Sequence, residues 1–111
     1  MDPSSLDDVF RALAASRRRA ICRYFESSGD DVAAFDDLVD FVVEDERAER
    51  GDDRSEHRRE VAVDLHHVHL PVLAEAGVAE FDPRSGSVLY LGHRQLGRLL
   101  AELANGDTLR A

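Results

Sequence analysis

The 111-residue chain has no lysine and no tryptophan, a single cysteine, three prolines, and no uninterrupted apolar run longer than a few residues. Each absence excludes something. A membrane-spanning helix needs about 20 apolar residues in succession, and no segment offers them. The acidic start MDPSSLDDVF lacks the charged-then-apolar layout of a signal peptide. The expectation is a soluble, cytoplasmic protein without a membrane partner. One cysteine, Cys22, forms neither an intramolecular disulfide nor a multi-thiolate metal site. It lies among apolar residues of a predicted helix, where a packed thiol is expected. There is no glycine-rich phosphate loop, no nucleophile elbow and no spaced carboxylate pair, so no enzymatic activity and no cofactor are expected.

What is present in excess is acid. The formal net charge is −9, and all 14 basic residues are arginine. Lysine is ordinarily among the commonest residues. A lysine-free, acidic surface suits molar salt, which screens the self-repulsion of the carboxylates. That explains the net charge without a cationic partner. The charge is also uneven. Residues 11–23 carry five arginines (Arg11, Arg17, Arg18, Arg19, Arg23) and no acid, whereas residues 24–43 carry six acids and no arginine.

The apolar pattern places the elements. Leu6, Val9, Phe10 and Leu13 are spaced as one stripe of a helix, with Ser4 or Ser5 as its cap. A second helix, SRRRAICRYFESSG, is capped by Ser16, buries Ala20, Ile21, Tyr24 and Phe25, and stops at Gly29. Val32 to Phe35 is a short apolar link or stub of strand. Asp36 starts a third helix with Phe35, Leu38, Val39 and Val42 on one face. The pattern then dissolves in EDERAERGDDRSEHRRE, and residues 44–57 read as an exposed acidic loop. A fourth helix is expected from Ser55 or Glu56 to about Ala76, with Leu65, Leu70, Leu73 and Ala76 in the core, Gly77 as its stop, and Pro71 as a kink or junction. VAEF, DPRSG and SVLYL then form strand, turn and strand, with Gly86 at positive φ. A last helix over about 94–104 carries Leu96, Leu99, Leu100 and Leu103 and ends at Asn105 and Gly106.

This order predicts one domain over 1–111, mainly α with a small β-hairpin, in the arrangement of a winged helix-turn-helix, with a core of about 6–91. The apolar stripes of the first and last helices exceed what a lone short helix needs, so a homodimer through them is expected.

The densest chemistry is LHHVHLPVLAEAG. On a regular helix His66 and His69 share a face and His67 points elsewhere. Two histidines are short of the three or four converging ligands a metal requires; a third would have to come from His57, His93 or an acid. No metal site is therefore expected, and the alternatives are packed or surface imidazoles, or imidazoles that donate to phosphates and base edges. Protonation near neutrality makes a pH response conceivable. For Arg17, Arg18 and Arg19, with Arg23, two readings stay open: phosphate contact, or a helix face paired with acids, the 24–43 segment among them. Arg84 at the tip of the turn is either a groove or phosphate contact or turn chemistry alone.

LPVLAEAGVAEFDPRSGSVLYL resembles the recognition-helix end and wing of small regulators of the ArsR type, and LDDVFRALAASRRRAICRYF resembles their opening. Together with LHHVHLPVLAEAGV and DPRSG, these stretches are similar to a small haloarchaeal winged-helix domain family of largely unknown function, over about residues 6–91. The chain departs from the metal-sensing ArsR regulators, which pair cysteines or histidine–carboxylate sets, and from their tight turn between the two reading-motif helices. The resemblance implies a DNA-binding transcription regulator that meets duplex DNA as a homodimer. Its fourth helix would enter the major groove through Arg58, Arg59, Asp64, His66, His67 or His69, with Arg84 on the wing and Arg17, Arg18 and Arg19 near the backbone. A winged-helix protein-interaction module without DNA binding is the alternative, and a histidine-based metal or pH switch is a third.

Overall fold

A computed structural model describes residues 6–50, 53–93 and 95–110. Helices α1 (Leu6–Ala12) and α2 (Ser16–Ser28) are followed by strand β1 (Val32–Ala34) and helix α3 (Phe35–Arg50). The segment expected from sequence to be the fourth, reading helix comes next, as α4 (Arg54–Asp64), a π turn (Leu65–His69) and α5 (Leu70–Glu75). Strands β2 (Ala79–Asp82) and β3 (Ser87–Tyr90) form the wing, and α6 (Leu96–Arg110) closes the chain.

The stub after α2 is a full member of the sheet. The antiparallel order is β1-β3-β2, with Val32 opposite Leu89, Ala33 opposite Val88, and Phe81 opposite Val88. The hairpin expected from sequence is thus a three-stranded sheet, mainly helical elements packed around it, in winged helix-turn-helix order. Ala33 and Val88 face the core, while Val32 and Leu89 pair on the outer face. The 83–86 turn forms because Asp82 accepts from the backbone N–H of Arg84 (2.9 Å) and the hydroxyl of Ser85 (3.2 Å). Gly86 supplies the φ of +74° that closes it, as the sequence predicts.

One cluster fills the interior. Ile21, Cys22 and Phe25 of α2 meet Leu38, Val39, Val42 and Val43 of α3, and Val61, Leu65, Leu70 and Leu73 of the reading segment. Phe25 stacks on Tyr90 with centroids 4.7 Å apart, which ties α2 to β3. All four expected core positions of the fourth helix are buried. That helix ends at Gly77 in a Schellman arrangement: Val78 N–H donates to Leu73 O (2.9 Å) and Gly77 N–H to Ala74 O (3.1 Å).

Several expectations are corrected. Residues 44–50 are helix, not loop, and α4 already begins at Arg54. The segment has no apolar period, yet its side chains are ion-paired to other elements: Asp45 to Arg23 (2.9 Å), Glu46 to Arg17 (2.7 Å), Glu44 to Arg54 (3.2 Å). Good helix formers held by such pairs need no apolar stripe of their own. Asp53 caps α4 through the N–H of Ser55 (3.0 Å). Ser16 does not cap α2; Ala15 holds the cap position and no side chain bonds there. The α1 stripe divides: Val9 and Leu13 face inward, whereas Leu6 (49%) and Phe10 (52%) are exposed. Helix α6 continues past Asn105 and Gly106 to Arg110. Ser4 and Ser5, named as caps, and Arg94 lie outside the described residues.

Pro71 does not break the helix, which runs without interruption from Arg54 to Glu75. The helix widens just before it. Leu70 N–H donates to Leu65 O, five residues back. In a regular helix the proline ring would press on the carbonyl four residues earlier, that of His67. The extra residue in the π turn opens that spacing.

Candidate nucleic-acid interface

The outer face of the reading segment forms a shallow groove lined by Arg17, Glu56, Arg59, Glu60, Val63, Asp64, His67 and Val68. Helix α4 presents Glu56, Arg59, Glu60 and Val63 to it, each exposed. The π turn adds His67 and Val68. Val63 is 53% exposed and Val68 45%, and the sequence pattern had singled out neither.

The π turn overturns the expected pairing of the histidines. His66 and His67 stack on one another, with centroids 4.8 Å apart and planes within 10°. His66 also meets Phe35 (6.2 Å) and Phe81 (5.5 Å) edge-on, and these two phenyl rings are 5.2 Å apart. The aromatic group thereby fastens the π turn to the start of α3 and to the wing, and leaves His67 on the outside. His69 turns the other way and is buried. Its Nε2 lies 2.7 Å from Asp64 Oδ2 and its Nδ1 3.0 Å from Arg18 Nη1.

The arginines divide as well. Arg17 is the hub of a partly buried network. Its Nε and Nη2 donate to the two oxygens of Glu46 (2.7 and 2.8 Å), Nη1 to Asp64 (3.0 Å) and Nη2 to Glu60 (3.2 Å). Glu46 accepts further at 2.9 Å from His57, which is only 4% exposed. Glu46, followed by Asp64 and Glu60, raises the Arg17 pKa against the cost of burial. Reciprocally, the Arg17 guanidinium holds the Glu46 carboxyl below its usual range. The acids that engage Arg17 therefore come from α3 and α4 beyond position 43, and not from the 24–43 segment. Arg18 Nε donates to Arg11 O (3.1 Å), and Arg19 Nη1 to Leu13 O (2.8 Å), so both tie α2 to the end of α1. Arg58 turns back onto α3, donating to Asp40 at 2.8 Å, with Asp36 3.7 Å away.

Of the residues named from sequence, the fold thus leaves Arg59, His66, His67 and Arg84 facing outward. It commits Arg17, Arg18, Arg19, Arg58, Asp64 and His69 to partners within the chain. The partners Glu46, His57 and Asp40 were not legible as such, because contacts across 18 or 29 positions leave no periodic trace. Among the described residues, no group of three or more His, Cys, Asp or Glu side chains could hold a metal ion, and no helix is long and apolar enough to cross a membrane.

No curated protein and no solved structure matches the chain. A family model does match residues 10–89, from within α1 to within β3, and on that match the chain belongs to the family described as a domain of unknown function (DUF7344).

Proposed function

We propose that this chain is a DNA-binding transcription regulator of a halophilic archaeon, ArsR-like in plan and cytoplasmic, that binds duplex DNA as a homodimer and carries no enzymatic activity. The observation that carries this reading is the outward set on the reading segment and wing: Arg59 and the stacked His66 and His67 on the second helix of the motif, with Arg84 at the wing tip. Arg59 is suited to the O6 and N7 acceptors of guanine, an imidazole N–H to a base acceptor or phosphate, and Arg84 to the flanking minor groove. Exposed Leu6 and Phe10 of α1 and Leu103 of α6 support a second copy as the dimer partner.

Affinity in this reading comes from base contacts and dimer geometry. Each phosphate contact loses about 0.9 in log K per tenfold rise in salt, so in ~2 M KCl phosphates contribute little. The experiment is selection from random and genomic duplex DNA in ~2 M KCl. Enrichment of defined sequences that is lost in an Arg59→Ala/Arg84→Ala double variant supports the reading. No enrichment in that salt sinks it.

A second reading, a protein-interaction module on the same fold, is favoured by the acids Glu56, Glu60 and Asp64 and the exposed Val63 and Val68 in the groove. It predicts no DNA enrichment and loss of a protein partner in a Val63→Ser/Val68→Ser variant.

A further inference from the structure

Hydrogen-bond chemistry fixes the state of His69. The His69 side chain is 11% exposed and sits between groups of opposite sign. A guanidinium only donates and a carboxylate only accepts. Nδ1, 3.0 Å from Arg18 Nη1, must therefore accept, and Nε2–H must donate across the 2.7 Å to Asp64. The imidazole is neutral, with its proton on Nε2. Arg18 also donates to the Arg11 carbonyl in the last turn of α1. A single chain of contacts thus runs from the end of α1 through Arg18 and His69 to Asp64, then through Arg17 and Glu46 to His57.

We infer that His69 is a proton-operated latch: while neutral it holds Arg18, and with it the end of α1, against the reading segment, and on protonation it lets them go. A second ring proton would sit on Nδ1, facing the Arg18 guanidinium donor to donor. The bond has no acceptor left, and two cations are brought together at the same point. Asp64 keeps its bond to Nε2–H, so the opening falls on the Arg18 side, between the reading helix and the helix whose Leu6 and Phe10 are exposed.

Among the described residues, charged groups meet the ring from α2 and α4, and Arg19 stands with Arg18 on α2. Asp64 faces it from α4, and Arg18 and Arg17 from α2. Arg11 of α1 and the buried Cys22 thiol stand beside Arg18, and Glu75 of α5 is turned onto Arg11 at 2.8 Å. Burial, the largest influence, holds the His69 pKa below its ordinary 6.5; Asp64 opposes this, and Arg18 and Arg17 add to it. A folded pKa below the unfolded one means that the unfolded chain takes up protons first. The closed latch is therefore fully stabilising above the unfolded pKa, and its contribution is lost as pH falls through the folded one. The latch is a property of the fold and operates whether or not the reading helix meets DNA.

The test is ring-nitrogen NMR of the full chain, titrated from about pH 8 to about pH 5, with amide hydrogen exchange of residues 10–14 followed in parallel. The expected result is the Nε2–H form of His69 at the upper end, protonation below the ordinary histidine range, and a loss of protection at residues 10–14 that sets in below the unfolded histidine pKa and is complete as His69 itself titrates. The loss is roughly tenfold for each pKa unit that separates the folded and unfolded forms. His69→Gln keeps a donor and an acceptor but cannot titrate, so its α1 amides stay protected over the whole range. Arg18→Gln provides the second arm: His69 still titrates, but the exchange of residues 10–14 no longer follows it. A proton on Nδ1 at the upper pH, unchanged α1 protection through the His69 midpoint, or the same acid response in His69→Gln overturns the inference.

Discussion

The amide of Leu70 donates to the carbonyl of Leu65, one residue further back than in a regular helix. That bond sets the phase of everything beyond it. Val61 of α4 and Leu65 at the start of the π turn lie on one buried face, and a regular helix would bring Val68 to the same face. The added residue passes that place to Leu70, Leu73 and Ala76, and leaves Val68 outside.

The phase is measurable by mutation. Leu65→Ala removes a fully buried side chain and is expected to cost ~2–5 kcal/mol, as large-to-small core changes do. Val68→Ala, at a site 45% exposed, is expected to stay within ~0.5 kcal/mol. Chemical denaturation of both variants in the same salt makes the comparison. Equal losses would return Val68 to the core and remove the π turn.

The Arg17 network is expected to matter more than any surface pair. The side chains of Arg17 and Glu46 are 16% and 18% exposed. Removing one of them strands a partly buried charge, so Arg17→Met is expected to cost ~3 kcal/mol. Arg47→Ala, which breaks an exposed pair with Glu44, is expected to cost under ~0.5 kcal/mol. Thermal melts at matched salt rank the two, and equal effects would show the network to be energetically idle.

The same pair governs acid stability. The Glu46 carboxyl is held below its ordinary 4.5, first by the bond from Arg17. A depressed folded pKa gives stability that is complete above the unfolded value and is lost as pH falls through the folded one. Glu46→Gln is therefore expected to start less stable at neutrality and to show a flatter decline below pH 4.5. An unchanged acid limb would assign that decline to other carboxylates.

Arg58 and Arg59 are neighbours with opposite assignments. Arg58 is clipped to Asp40 on α3, and Arg59 faces the groove. On the proposed DNA reading, Arg59→Ala is expected to weaken specific binding by ~1–3 kcal/mol with little change in melting. Arg58→Ala is expected to leave binding intact and to cost at most ~1 kcal/mol of stability. Binding isotherms and melts of both variants decide this, and a reversed ranking would move the contact to Arg58.

Cys22 is buried, and its thiol pKa is pushed up to about 12, chiefly by desolvation. A thiol so placed is almost entirely protonated at neutrality and shielded from reagent. Labelling with a disulfide reagent is expected to proceed at the rate of chain opening and to become fast in denaturant. Rapid labelling of the native chain would contradict the packed position.

The local pattern carried much of this fold, because one-sided burial leaves a period in the sequence. The apolar stripes of α2, α3 and α5, the 83–86 turn with its left-handed Gly86, and the stop at Gly77 were all legible. The winged order followed from them. The extent of α3 was not legible, since Glu44, Asp45 and Glu46 are held by arginines of α2 and α4 instead of an apolar stripe. The π turn left a trace that goes unnoticed when Leu65 and Leu70 are each assigned to the core without regard to the five positions between them.

For the candidate site, the sequence by itself determined which groups were available: arginines without lysine, three clustered histidines, and a wing tip with one cation. Only the tertiary structure decided which of them are free. Arg17, Arg58 and His69 look like contact residues in one dimension, and each is taken up by a carboxylate or a guanidinium from another element. The physical reason is that hydrogen bonds and ion pairs act through space over about 3 Å, whatever the separation along the chain.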